Sequence, residues 1–198
     1  MKIYHQVNGY LAVNTYYLVN EDDNTETEQK GTFVYRINED YQAVILKYKG
    51  NEANIEVPEK INGYPVTEIT DEVFNESVET VKIPETITKI DDNAFYDCLN
   101  IETIVVGDAT TEVGNDAFGL CKNLKNIVFL CNEKPTFDGD AFTDPISDQP
   151  YQVEKMYIPL SQYNNYVADQ EFTTHTKEFS TNYNEDALFI DMFASHFI

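Results

Sequence analysis

The stretch IDDNAFYDCLNIETIVV, residues 90–106, is followed by VGNDAFGLCKNLKNIVF, residues 113–129. Both open on an apolar residue and an Asp- or Asn-bearing turn, continue through Ala-Phe, place a Cys three residues after the Phe, and close on alternating apolar residues. Working outward, the same plan recurs in ITDEVFNESVETVKIP from Ile69 and in FDGDAFTDPISDQPYQVEKMYIP from Phe137. The anchors Phe74, Phe95, Phe118 and Phe142 stand 21, 23 and 24 residues apart. Self-similarity at such a period signals a chain wound into coils that stack on one another.

The closing residues of each unit alternate: Val81 with Ile83, Ile104 with Val106, Ile127 with Phe129, Met156 with Ile158. A period of two suits one short strand per coil. A lone coil buries four or five apolar side chains at roughly 1.5–3 kcal/mol each. That gain is set against about 1–2 kcal/mol of backbone entropy for every residue ordered. Alone it cannot fold. Stacked, each coil covers its neighbour's apolar edge, the strands form a parallel sheet, and the two ends need caps. Cys98 and Cys121 then occupy equivalent places in adjacent coils, as small core residues pointing inward with Phe95 and Phe118. A redox pair between the coils is the alternative. Three scattered cysteines without a C-x-x-C pair speak against a disulfide scaffold or zinc ribbon.

IPETITKIDDNAFYDCLNIETI and VGNDAFGLCKNLKNIVF resemble the BspA-type leucine-rich repeat, with its Ile-Pro, Ile, Ala-Phe, Cys and Leu at fixed offsets. The likeness extends upstream through GTFVYRINEDYQAVILKYKGNEANIEVPEKINGYPVTEI, and downstream through IPLSQYNNYVADQEF, which resembles the family's terminal unit. The departures are a first coil two residues short, the insertion TDPISDQPYQ, and Val106-Gly107 and Phe129-Leu130 where Ile-Pro is usual. The fold expected is a β-rich, α+β architecture: a short right-handed leucine-rich-repeat solenoid of about four coils with a parallel sheet, an N-terminal β-hairpin cap and a C-terminal helix. The divisions expected are 1–30 for the hairpin and an acidic loop, 31–65 for a cap and half-coil, 66–172 for the solenoid with its terminal cap, and 173–198 for a polar tether and amphipathic helix. The resemblance implies protein binding or adhesion at a cell surface.

At the ends, Lys2–Val7 and Tyr10–Asn14 alternate around Asn8-Gly9, a strong hairpin signal. Near the C-terminus Asn184 can cap a helix, and Leu188, Phe189, Met192, Phe193 and Phe197 fall on one broad face. That face either covers an open end of the solenoid or docks on another subunit. The second reading makes the chain a structural component of a larger assembly, such as a virion or cell envelope.

Asp+Glu number 35 against 13 Lys+Arg, a formal charge of −22. Such a field repels phosphate backbones, so nucleic acid is not expected as a partner. No window approaches the roughly 18 apolar residues of a membrane helix, and no signal-peptide pattern opens the chain. His5, His175 and His196 lack ligand spacing, and no phosphate loop or nucleophile elbow occurs. The expectation is a non-enzymatic chain without metal or cofactor. Candidate partner contacts are the strand residues between the buried ones, Lys82, Val105, Val128 and Tyr157, read as an exposed apolar strip among polar neighbours.

Overall fold

The computed structural model describes residues 6–7, 10–14, 32–142 and 152–181. The first strands are β1 (Gln6–Val7), β2 (Tyr10–Asn14), β3 (Thr32–Ile37) and β4 (Ala43–Tyr48). They pair antiparallel in sequence order, with Val7 opposite Tyr10 and Asn14 opposite Thr32. The winding then begins. It runs through β5 (Asn54–Glu56), β6 (Lys60–Ile61), β7 (Tyr64–Ile69), β8 (Thr80–Lys82), β9 (Lys89–Ile90), β10 (Thr103–Val106), β11 (Glu112–Val113), β12 (Asn126–Phe129), β13 (Thr136–Phe137) and β14 (Val153–Tyr157). A 3-10 turn, Leu160–Gln162, leads to α1 (Tyr163–Val167) and α2 (Gln170–His175), and β15 (Thr176–Ser180) follows.

Each coil contributes a strand to two sheets. Sheet A carries β4-β7-β9-β11-β13 in parallel, continued by the antiparallel β1–β3. Sheet B is parallel throughout, in the order β15-β14-β12-β10-β8-β5. Six strands in sheet B mean about six turns, two more than the four phenylalanine-anchored coils. The extra turns hold β5 and β15, and the residues that anchor them explain why the repeat pattern passes over them.

Those anchors form one interior column of rings. Phe74, Phe95, Phe118 and Phe142 follow one another at centroid separations of 4.7, 5.7 and 5.2 Å. Tyr48 extends the column below, 6.4 Å from Phe74, and Phe33 lies 5.2 Å beyond it. At the other end His175 stacks on Phe142 at 5.6 Å. Tyr48 and His175 thus stand where Ala-Phe would be sought. The stretch after residue 173, expected as a polar tether, begins with this histidine and then adds β15 to the sheet, Met156 opposite Phe179. Phe179 packs against the core while Lys177 and Glu178 face out; one apolar residue among polar ones is too little alternation to announce a strand.

The third side of each coil, through Ala-Phe, is a turn that still bonds to its neighbour. Phe95 N donates to Ala117 O at 2.8 Å, and Phe118 N to Ala141 O at 2.8 Å. Glu72, Asn93 and Asp116, two residues before their phenylalanines, have φ of 48°, 55° and 54°. This left-handed region is one that Asn and Asp enter at lower cost than most residues. Side chains reinforce the stack. Asn100 Nδ2 donates to Glu76 O at 2.7 Å and Asn123 Nδ2 to Leu99 O at 2.6 Å. Along sheet A, Thr88, Thr111 and Thr136 each donate Oγ1 to the carbonyl of the threonine one coil back, at 3.3, 3.3 and 3.0 Å.

Past β14, Pro159 ends the strand and the helices close the stack. Tyr166 and Phe172 pack on Phe129 and Phe137 with centroids 4.7 to 6.1 Å apart. Lys134 lies 5.5 and 5.1 Å over the rings of Phe137 and Phe172 and pairs with Asp169 at 2.9 Å.

Candidate interaction surface

Register fixes what sheet B presents outward. One row runs Asn54, Thr80, Thr103, Asn126, Lys155, Glu178, and the next runs Glu56, Lys82, Val105, Val128, Tyr157, Ser180. The structure therefore brings the four strand candidates, Lys82, Val105, Val128 and Tyr157, into one line. It does not leave them as an exposed apolar strip. Val105 and Val128 are both 0% exposed, and Lys82 and Tyr157 are half-buried. In a parallel ladder the in-register neighbour stands close alongside, so Lys82 walls the valine pair on one flank and Tyr157 on the other. Lys82 pairs with Glu56 at 3.4 Å, and Lys155 pairs with Glu178 at 2.9 Å while lying 5.8 Å over the Tyr157 ring. The other candidates, Leu188, Phe189, Met192, Phe193 and Phe197, lie outside the described residues, as do His5 and His196.

Sheet A presents Glu68, Lys89, Glu112 and Thr136 in register. Beside them lies an open cleft lined by Lys89, Asp91, Asp92, Glu112, Thr136 and Asp138. Lys89 bonds Asp91 at 3.0 Å, and that bond raises its ammonium above the usual lysine range, helped by Glu68 and Glu112. The cleft's carboxylates occupy repeat positions in successive coils. They form an acidic strip, not a pair converging on one point. Sequence reasoning placed these acids in turns but did not gather them, because the coil-to-coil offset that unites them appears only once the strands are in register.

The cysteines are free and buried. Cys121 Sγ donates to Phe95 O at 3.0 Å and Cys131 Sγ to Gly107 O at 3.3 Å. Burial pushes Cys98 and Cys131 up to about 12 and Cys121 well above the ordinary thiol value. The reactive species is the thiolate. The native protein is accordingly expected to give no colour with Ellman's reagent at pH 8, and three thiols per chain in denaturant; fast labelling of any of them in the folded state would contradict the buried geometry.

Among the described residues no cluster of three or more His, Cys, Asp or Glu side chains could hold a metal ion, and no helix is long and apolar enough to cross a membrane. The defining pattern of the BspA type leucine rich repeat region matches residues 46–148 in six copies, just over half the chain and in accord with the six turns of sheet B. The chain belongs to the BspA-type leucine-rich repeat family.

Among solved structures, this BspA-type chain is similar to a leucine rich cell surface protein from Faecalibacterium prausnitzii, 27% identical, with a TM-score of 0.53. The match covers 70% of this chain and 38% of that one, so the present chain spans well under half of that protein. The leucine rich repeat protein of T. pallidum is 19% identical with a TM-score of 0.52, over 76% of this chain and 79% of that one; at this identity the likeness is one of fold. No curated protein sequence gives a significant match.

Proposed function

We propose that this chain is a non-enzymatic protein-interaction module of cell-surface type, working in adhesion, and that its partner meets the acidic flank of sheet A. The observation that carries this reading is the strip of Asp91, Asp92, Glu112 and Asp138, which crosses three coils and lies open to solvent along a groove. In a chain of charge −22 such a strip favours a basic protein surface and speeds encounter through the long-range field. Membership of the BspA-type family and the likeness to a bacterial cell surface protein support the extracellular setting.

The test is biosensor binding of the full chain to a panel of extracellular proteins sorted into basic and acidic sets. Saturable binding to basic members is expected, with an association rate that falls about tenfold or more from low to physiological salt. The triple variant Asp91→Asn, Glu112→Gln, Asp138→Asn should lose most of that salt dependence. Binding that ignores both salt and the triple variant, or no saturable binding across the panel, would overturn the proposal.

A further inference from the structure

Val105 and Val128 are 0% exposed, yet they point away from the core and stand outside its contiguous cluster. Lys82 and Tyr157 shield their flanks, but a side chain on one face of a sheet keeps its tip in water unless a further layer lies across it. Thr80 and Thr103, in the adjoining row, are buried as well. A covered patch therefore lies on the outer face of sheet B.

Three chain segments adjoin the described residues and are long enough to matter. Residues 15–31 leave from Asn14 and return at Thr32, which are paired in sheet A. Residues 143–151 read TDPISDQPY and carry one large aliphatic residue, Ile146. Residues 182–198 start from sheet B itself: Ser180, opposite Tyr157, closes the row that contains both valines. With strands about 4.8 Å apart, Val128 lies about 10 Å and Val105 about 14 Å from β15. Seventeen residues wound as a helix reach about 25 Å. This segment alone repeats apolar residues at helical spacing, Leu188, Phe189, Met192, Phe193 and Phe197. It also carries Glu185, Asp186 and Asp191, opposite in sign to Lys82 and Lys155 on the sheet.

We propose that residues 182–198 lie back across sheet B of their own chain, with Phe189 and Phe193 over Val105 and Val128. The segment is an intramolecular cover on this face, and a partner reaches sheet B only by displacing it.

The test uses the full chain carrying Val128→Cys, with Leu160→Cys as the exposed reference, since Leu160 is 74% exposed. Maleimide labelling at Cys-substituted 128 is expected to be at least about 100-fold slower than at 160, as local opening must precede reaction. Adding Phe189→Asp and Phe193→Asp should accelerate it at least about tenfold while cooperative unfolding persists. Equal labelling at the two sites, or protection that survives the tail substitutions, would overturn the proposal. A benzophenone amino acid in place of Phe193 gives a second readout that needs no destabilising change. Intramolecular cross-links to residues 103–106 or 126–129 support the cover; links to another copy, or to none of these residues, refute it.

Discussion

Phe118→Ala should cost about 3–5 kcal/mol of stability, the range for emptying a well-packed aromatic site. Phe118 is wholly buried, and it is clasped on both faces by Phe95 and Phe142. Its neighbours cannot close over the space, because the backbone of each adjoining coil is tied to this one at Phe118 N and Phe95 N. A domain's whole stability is about 5–15 kcal/mol, so this one truncation removes a large part of it. Urea titration should show a lower midpoint with an unchanged slope. In a double-mutant cycle with Phe95→Ala, the two losses should fall short of additivity by about 0.5–1.5 kcal/mol, the worth of a ring pair beyond its area. A loss under about 1 kcal/mol at Phe118 would mean the rings do not carry the stack.

The second large effect is expected at Gly107. A Cβ built there meets Pro84 O at 2.4 Å, Pro84 C at 2.6 Å and Ile83 O at 2.9 Å, all backbone atoms of the coil below. Neither coil can give way, since Ile83 N is bonded to Val105 O at 2.8 Å and Leu130 N to Val106 O at 3.0 Å. Gly107→Ala should therefore cost about 1–3 kcal/mol through overpacking, lowering Tm by roughly 2–12 °C at 2–4 °C per kcal/mol. Gly63 is the contrast. Its φ is 88° with no atom within 4 Å of a built Cβ, so Gly63→Asn, whose side chain tolerates the left-handed region, should be nearly silent by the same melt. Equal losses at the two glycines would show that backbone conformation, not close approach of coils, sets the cost at Gly107.

Gly107 also shows how much of this molecule can be read in advance. As a departure from Ile-Pro it is visible in the string of letters; that it lets one coil rest on the proline carbonyl of the last is not, because the contact depends on a neighbour 23 residues away. The four-phenylalanine column, the inward cysteines and the strand of each coil were legible, since all three follow from spacing and alternation. The outer turns were not. Tyr48 and His175 keep the column going with different rings, and a search for Ala-Phe passes them by. The Asn and Thr ladders look like ordinary turn chemistry until register shows each side chain reaching one coil back. Outward valines read as an exposed strip because alternation reports which way a side chain points, and nothing about what lies on top of it. The acidic flank of sheet A was present in the composition but scattered along the chain, and winding is what gathers it.

The ladder bonds between successive coils, whether from strand, turn, Asn100 or Thr111, all run along the stacking axis. Tension applied between the first coil and the last would load these rungs a few at a time instead of sharing the pull across all of them. A tether built this way yields by peeling, one winding after another, and pays out length in small instalments under a hydrodynamic drag that would snap a single cooperative joint.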